Sequence, residues 1–281
     1  MKIRRIVAAY FSPTGNTEQL AKAMAAAVSE TAGLPVETID FTQPDARARQ
    51  YSFAADDFLI IGLPVYAGRL PNKILPFVQE KLQGDGTPSL AFVCYGNRAF
   101  DDGLSELVYE QKKAGFQPVA AAAFATQHAF ATSLATGRPN EADLEEAKAF
   151  ACDALVKIAD YGSAGGEIHF PELQVDGNTP PGPYYRPKRM DGEPAVFLKA
   201  KPLTDKVKCI GCGTCARVRA MGSIDPSDVT SVPGICIKCQ ACIVSCPTGA
   251  KEFDDPDFLS HKEMLESNFR EEKPNQFWGI W

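Results

Sequence analysis

Arg4-Arg5-Ile6-Val7-Ala8-Ala9-Tyr10-Phe11-Ser12-Pro13-Thr14-Gly15-Asn16-Thr17 decides how this chain begins to fold. An apolar run behind two arginines stops at a hydroxyl-rich turn with one glycine, and Glu18 to Ser29 then continues at helical spacing. The reading is strand, tight turn, helix. Hydroxyls at 12, 14 and 17, a glycine that permits the turn, and free backbone N–H groups at a helix N-terminus together make a site for a phosphate dianion. The turn has no lysine, which disfavours the Gly-Lys-Ser/Thr loop that serves a nucleoside triphosphate and its metal.

Outward from this turn, residues 1–162 alternate short apolar stretches with longer amphipathic ones, the pattern of a parallel α/β sheet. Strands are expected at Arg4 to Phe11, Val36 to Phe41, Phe58 to Pro64, Ser89 to Tyr95 and Pro118 to Ala125, with helices after Gly15, Asn72, Asp101 and Asn140. Five strands fit the doubly wound order 2-1-3-4-5. The last of these helices, Glu141 to about Tyr161, is stopped by Gly162-Ser163-Ala164-Gly165-Gly166, the best domain boundary in the chain. Residues 163–200 are rich in Pro and Gly, follow neither period, and read as a linker. Residues 201–255 hold most of the cysteines. Residues 256–281 carry a helix, Asp257 to Arg270, and the aromatic tail Phe277-Trp278-Gly279-Ile280-Trp281.

Ser12-Pro13-Thr14-Gly15-Asn16-Thr17 resembles the FMN phosphate loop of the flavodoxin family, which has the form Ser/Thr-x-Thr-Gly-Asn-Thr. The resemblance implies a flavodoxin-like domain with FMN at the carboxyl ends of strands beside the switch point. Ser12, Thr14, Gly15, Asn16 and Thr17 would take its phosphate. Two loops leave the neighbouring strand ends: Pro64-Val65-Tyr66-Ala67-Gly68, followed by Arg69, and Tyr95-Gly96-Asn97-Arg98. By the same resemblance they hold the isoalloxazine. Tyr66 is the stacking candidate, because a flat aromatic covers the ring and excludes water, while Gly96 and Asn97 would present backbone to its pyrimidine edge. Cys94 reads as a small buried hydrophobe, Asp101 and Asp102 as carboxylates that open a helix, and His128 as a loop hydrogen-bonder.

Of nine cysteines, Cys94 and Cys152 stand alone and seven lie between Cys209 and Cys246. That crowding at three-residue spacing indicates metal, since a disulfide framework spreads its partners along the chain. An internal repeat at an offset of 27 aligns Cys209-Ile210-Gly211-Cys212-Gly213-Thr214-Cys215 with Cys236-Ile237-Lys238-Cys239-Gln240-Ala241-Cys242, and Cys246-Pro247 follows the second run. The pattern resembles the bacterial two-cluster ferredoxins and implies a small α+β iron–sulfur domain in which the fourth cysteine of each run serves the other cluster. Carried over, a 4Fe–4S cluster takes Cys209, Cys212, Cys215 and Cys246. The second cluster takes Cys236, Cys239 and Cys242, and its fourth ligand falls at position 219, which is arginine, followed by Ala220 in place of proline. A guanidinium cannot replace a thiolate. A 3Fe–4S cluster, a 4Fe–4S cluster with a non-cysteine ligand, or no second cluster all remain open. A cation there would raise the potential of that cluster. A zinc ribbon is disfavoured, because zinc sites pair two knuckles of two ligands.

A chain of 281 residues with 45% hydrophobic content, net charge −6 and pI near 5.2 is globular and lacks a basic surface for nucleic acid. No stretch approaches the roughly 20 apolar residues of a membrane span, and the N-terminal apolar run has no cleavage site, so a cytoplasmic protein is expected. No strand-linked Gly-x-Gly-x-x-Gly marks an NAD(P)H site. The motifs serve cofactors, and none pairs a nucleophile with a base. The whole chain resembles the fused flavodoxin-ferredoxin proteins of bacteria and archaea, which implies an electron carrier of anaerobic metabolism that links FMN and iron–sulfur clusters to a redox protein partner. One alternative is a flavin-dependent reductase fed by the clusters, with Arg69, Arg98, His128 and Arg138 lining a small-molecule pocket. Another is a redox-responsive binding module. Between Lys201 and Asp255 seven Lys/Arg stand against six Asp/Glu, so the module lacks the acidic surface by which many ferredoxins dock.

Overall fold

Strands buried on both faces pair as a parallel sheet when helices return the chain to the same edge, and residues 5–162 do this. The computed structural model describes residues 2–162, 170–218 and 220–279. Its first part runs β1 (Arg5–Tyr10), α1 (Asn16–Ala32), β2 (Val36–Asp40), α2 (Pro44–Arg47), β3 (Tyr51–Phe53), β4 (Asp57–Pro64), α3 (Leu75–Glu80), β5 (Leu82–Gly84), β6 (Thr87–Tyr95), α4 (Gly103–Lys113), β7 (Phe116–Ala125) and α5 (Glu141–Gly162). The remainder holds β8 (Leu203–Thr204), α6 (Thr214–Arg217), α7 (Ala241–Val244), β9 (Lys251–Glu252), α8 (Pro256–Asn268) and β10 (Gln276–Trp278).

The main sheet has the order β10-β7-β6-β4-β1-β2. Its five parallel strands are the five expected from sequence, in the 2-1-3-4-5 arrangement, with β1 between β2 and β4 in the register Ile6↔Val36 and Ile6↔Phe58. The sheet nevertheless has six strands, which corrects the expected five. β10 adds antiparallel to β7, with Phe277 opposite Ala122. The small residues Ala120 to Ala123 leave room for this edge, and alternation sends Phe277 onto Phe124 and Phe150 while Trp278 packs on Phe100. β3 and β5 form a second, two-stranded parallel sheet, and β8 and β9 an antiparallel pair.

Period-two alternation divides the core. Val7, Ala9, Leu59 and Ile61 face Phe77, Leu104 and Leu107 of α3 and α4, whereas Ile6, Ala8, Phe58 and Ile60 face Leu20, Met24 and Ala151 of α1 and α5. Two helical layers thus fix the carboxyl ends of β1, β4 and β6 side by side. Among the described residues, no helix is long and apolar enough to cross a membrane.

Of the stretch read as a linker, residues 163–169 lie outside the described residues. The rest is tied along the domain as a strap. Leu173 is buried in the core, Asp102 accepts from the Asn178 N–H (2.8 Å), the Asn178 amide (3.0 Å) and the Gly182 N–H (2.7 Å), and Tyr184 Oη donates to the Leu70 carbonyl at 2.8 Å. Asp102 sits at the N-cap of α4 but makes no capping bond there, so its carboxylate serves the strap. Irregular backbone needs polar partners where no strand or helix supplies them, and one buried carboxylate supplies three.

Candidate cofactor sites

Gly15 (φ +96) turns the chain from β1 into α1, in a conformation that strains any residue with a Cβ. Below the turn, Ser12 Oγ accepts the Glu18 N–H at 2.9 Å, and the Ser12 N–H donates to Thr42 Oγ1 at 2.8 Å. The backbone N–H groups of Thr14, Asn16 and Thr17 have no acceptor among the described residues. Unsatisfied donors at a helix N-terminus suit an anionic group.

The turn opens into a cavity of about 230 Å³. Of the residues selected from sequence, Thr14, Asn16, Thr17, Pro64, Val65, Tyr66, Ala67, Gly68, Gly96 and Arg98 line it. Ser12, Gly15, Tyr95 and Asn97 do not. Tyr95 is buried beneath, its ring against Phe100, and Asn97 (φ +65) fastens the C-terminal segment through bonds to the carbonyls of Phe269 (2.7 Å) and Glu271 (2.9 Å). Tyr66 and Arg69 close a tight turn with reciprocal backbone bonds of 2.8 and 3.2 Å. Burial pushes the Tyr66 phenol well up, and the cysteines Cys239 and Cys236 push it further. Tyr66 therefore stands between the flavodoxin-type turn and the second cysteine run.

His128 packs on Gly96, where a Cβ would lie 2.2 Å from the imidazole Cδ2. Its Nδ1 accepts the N–H groups of Phe130 (3.3 Å) and Ala131 (3.2 Å), which leaves the proton on Nε2. Burial holds His128 down to about 3, with His261 and Arg98 adding to the effect, so the ring is neutral near pH 7. Cys94 also lines the cavity. Burial lifts its thiol to about 12 against an opposing hydrogen bond with Thr17, so it is inert. Of the arginines considered for a substrate pocket, Arg98 lines the cavity. Arg69 is paired with Glu106 (2.8 Å) and Arg138 with Asp143 (3.0 Å), and neither lines it.

Sequence reading missed the cover. Tyr185, Pro187 and Phe197 of the strap and His261 and Leu265 of α8 line the same cavity. The Tyr185 N–H donates to the Ala67 carbonyl at 2.8 Å, Arg98 stands 4.0 Å over the Tyr185 ring, and Phe197 stacks on His261 at 5.6 Å. The cluster Tyr184-Tyr185 in a Pro-rich stretch was the available signal, since aromatics are poor company for a solvated linker. Ile237 and Lys238, inside the second cysteine run, complete the lining.

Cys209, Cys212, Cys215 and Cys246 line one small cavity, and Cys215, Cys236, Cys239 and Cys242 line another. Among the described residues, no group of three or more His, Cys, Asp or Glu stands close enough to hold a single metal ion. The donor chemistry nonetheless suits an iron–sulfur group, which spreads its thiolates over several iron atoms. Burial lifts the Cys239 thiol to about 11 and Cys242 to about 12, and neighbouring cysteines add to both, so the two thiols are held in the neutral form near pH 7. Arg219, at the position of the expected fourth ligand, lies outside the described residues.

The flavodoxin domain family matches residues 7–128. Solved structures similar to the chain include a flavodoxin from the domain Archaea (19% identity, 56% of this chain and 99% of that one, TM-score 0.40) and the flavodoxin of Streptococcus pneumoniae TIGR4 (20% identity, 55% and 99%, TM-score 0.39). A third is rubredoxin oxygen:oxidoreductase from Desulfovibrio gigas (15% identity, 58% and 38%, TM-score 0.37). No curated protein matches the chain. Sheet order and the family match define a flavodoxin-like domain, and that likeness supports FMN as its ligand.

Proposed function

We propose that this chain is an electron-transfer protein that joins FMN, iron–sulfur clusters and a redox protein partner in one relay. The observation that carries the reading is that Ile237 and Lys238, between Cys236 and Cys239, line the same cavity as Thr14, Thr17 and Tyr66. A cysteine run built against a flavin-type pocket is difficult to account for unless both hold redox groups.

When bound, FMN supplies one- or two-electron exchange and each cluster one-electron exchange. The N–H groups of Thr14, Asn16 and Thr17 would hold its phosphate, and Tyr66, which lines the cavity, would stack on the ring. His128 offers a fixed Nε2–H donor. Tyr185 and Phe197 exclude water. Cys209, Cys212, Cys215 and Cys246 hold a 4Fe–4S cluster, while Cys236, Cys239 and Cys242 hold a 3Fe–4S cluster or a 4Fe–4S cluster with a non-cysteine ligand. Each site shares lining with the next: Cys215 lines both cysteine cavities, Ile237 lines the second of them and the flavin cavity, and Cys212 at the far end is exposed. That order supports a partner docking at the outer cysteines, in a reducing cytoplasm.

Of the four side chains that a reductase would bring to a substrate, Arg69 and Arg138 do not line the cavity, which favours the carrier over the reductase. Anaerobic preparation followed by FMN and iron analysis, with electron paramagnetic resonance on the oxidised protein, tests the reading. Stoichiometric FMN with a 3Fe–4S signal, or with iron near eight per chain and no signal, supports it. Protein that takes up neither FMN nor iron refutes it, and catalytic formation of an organic product would favour the reductase.

A further inference from the structure

The two cysteine runs repeat in backbone as well as in sequence. Gly211 (φ +69) and Gly213 (φ +70) of the first run correspond to Lys238 (φ +56) and Gln240 (φ +66) of the second. All four positions are left-handed, where glycine is unstrained and a residue with a Cβ is not. The first run takes glycine at both. A strained side chain held where its repeat partner has none points to something that side chain does.

Gln240 is buried, and its Nε2 donates to the Lys238 carbonyl at 3.0 Å, which fixes the loop. The half-buried Lys238 lines the flavin cavity. Its ammonium donates to the carbonyl of Leu198 in the strap and, at 3.4 Å, to that of Cys236. Among the described residues no carboxylate stands within ion-pair distance of it. The cation thus lies half-buried at the edge of a mostly apolar cavity, with Cys236 and Asp255 as the opposite charges that act on it and its bond to Leu198 open to solvent.

We propose that Lys238 is the residue through which the second cysteine run sets the reduction potential of the flavin, as a fixed positive charge that favours the electron-rich state. The proposal rests on the reading of the cavity as a flavin site. Its plain rival is a latch, in which the bond to Leu198 merely holds the strap.

The test begins with wild-type protein shown to carry stoichiometric FMN. Absence of FMN at that stage defeats the flavin reading itself, and the proposal with it, before any variant is made. The FMN midpoint potential, the FMN dissociation constant and Tm are then measured for Lys238→Met, Lys238→Arg and Lys238→Gly. Lys238→Gly restores the residue of the repeat partner Gly211 and relieves the backbone, so at least one uncharged variant carries no added strain. A potential lowered in both Met and Gly variants by a tenfold change in the one-electron equilibrium, 59 mV, and restored by Arg, is the expected result. An unchanged potential with a fall in Tm or FMN affinity makes Lys238 a latch and overturns the proposal. A potential lowered equally by Arg also overturns it, because charge would then not be the cause.

Discussion

Replacing Asp102 by alanine should release the strap from the flavin cavity while leaving the main sheet folded. The carboxylate accepts from three donor groups, the N–H and amide of Asn178 and the N–H of Gly182, and hydrogen bonds to charged groups contribute about 1.5–3 kcal/mol each. Three would sum to more than about 4 kcal/mol, but Asn178 is exposed and water replaces part of what is lost. About 3 kcal/mol is therefore expected, which at 1.4 kcal/mol per tenfold is about a hundredfold shift in the opening equilibrium of the strap. Hydrogen exchange should show that loss of protection at residues 178–187, which include the Tyr185 N–H, and not in β1 or β4, since those strands share no bond with Asp102. FMN release should accelerate with it. Unchanged exchange at 178–187 would refute the reasoning.

The same carboxylate predicts a pH dependence. Burial pushes the Asp102 carboxyl up, yet the N–H groups of Asn178 and Gly182, the Asn178 amide and Arg69 together hold it below the usual range. A group whose folded value is depressed stabilises above its unfolded value, about 3.9 for Asp, and loses that contribution as pH falls through the folded value. Strap opening should thus rise below about pH 4 in the wild type and be insensitive to that window in Asp102→Ala.

Gly62→Ala should be severe. A Cβ at Gly62 would lie 2.0 Å from Phe92 Cζ in the middle of the sheet, so a loss of about 1–3 kcal/mol or more in urea unfolding is expected, partly recovered by Phe92→Leu. Arg47→Met should loosen the cysteine module: the guanidinium binds the carbonyls of Phe41 and Thr42 at 2.7 Å and also that of Ala220, and its loss should expose residues 217–223 to limited proteolysis. Arg219→Cys should lower the potential of the second cluster by removing a cation and adding a thiolate. A redox titration followed by electron paramagnetic resonance checks this, and an equal or higher potential contradicts it.

The parallel strands and the phosphate turn were legible because their signals are local: an apolar run, a hydroxyl-rich turn, a helical period. β10 was not, since Gln276–Trp278 becomes a strand only when the small residues Ala121 to Ala123, over 150 positions earlier, offer an edge. The strap was hidden for a related reason. Its bonds to Asp102, Ala67 and Leu70 satisfy backbone groups one at a time, which leaves no period in the sequence. Asp102 does open the helix, as expected of a carboxylate at that position, but its side chain makes no capping bond there and instead takes a partner 76 residues away.

The repeat shows where legibility passes into function. An offset of 27 aligns the cysteines, and it also aligns Lys238 and Gln240 with two glycines, a mismatch that looks like drift in sequence alone. The left-handed φ values change its meaning, because they show that the second run keeps a glycine backbone without the glycines. Relaxing it would take a single substitution, Lys238→Gly, which would stabilise the loop by about 0.5–1 kcal/mol if the side chain did nothing. A fall in flavin potential alongside that gain in Tm would mean that stability is given up at Lys238 to place a charge, the trade expected where a cofactor site and a structural loop share a residue.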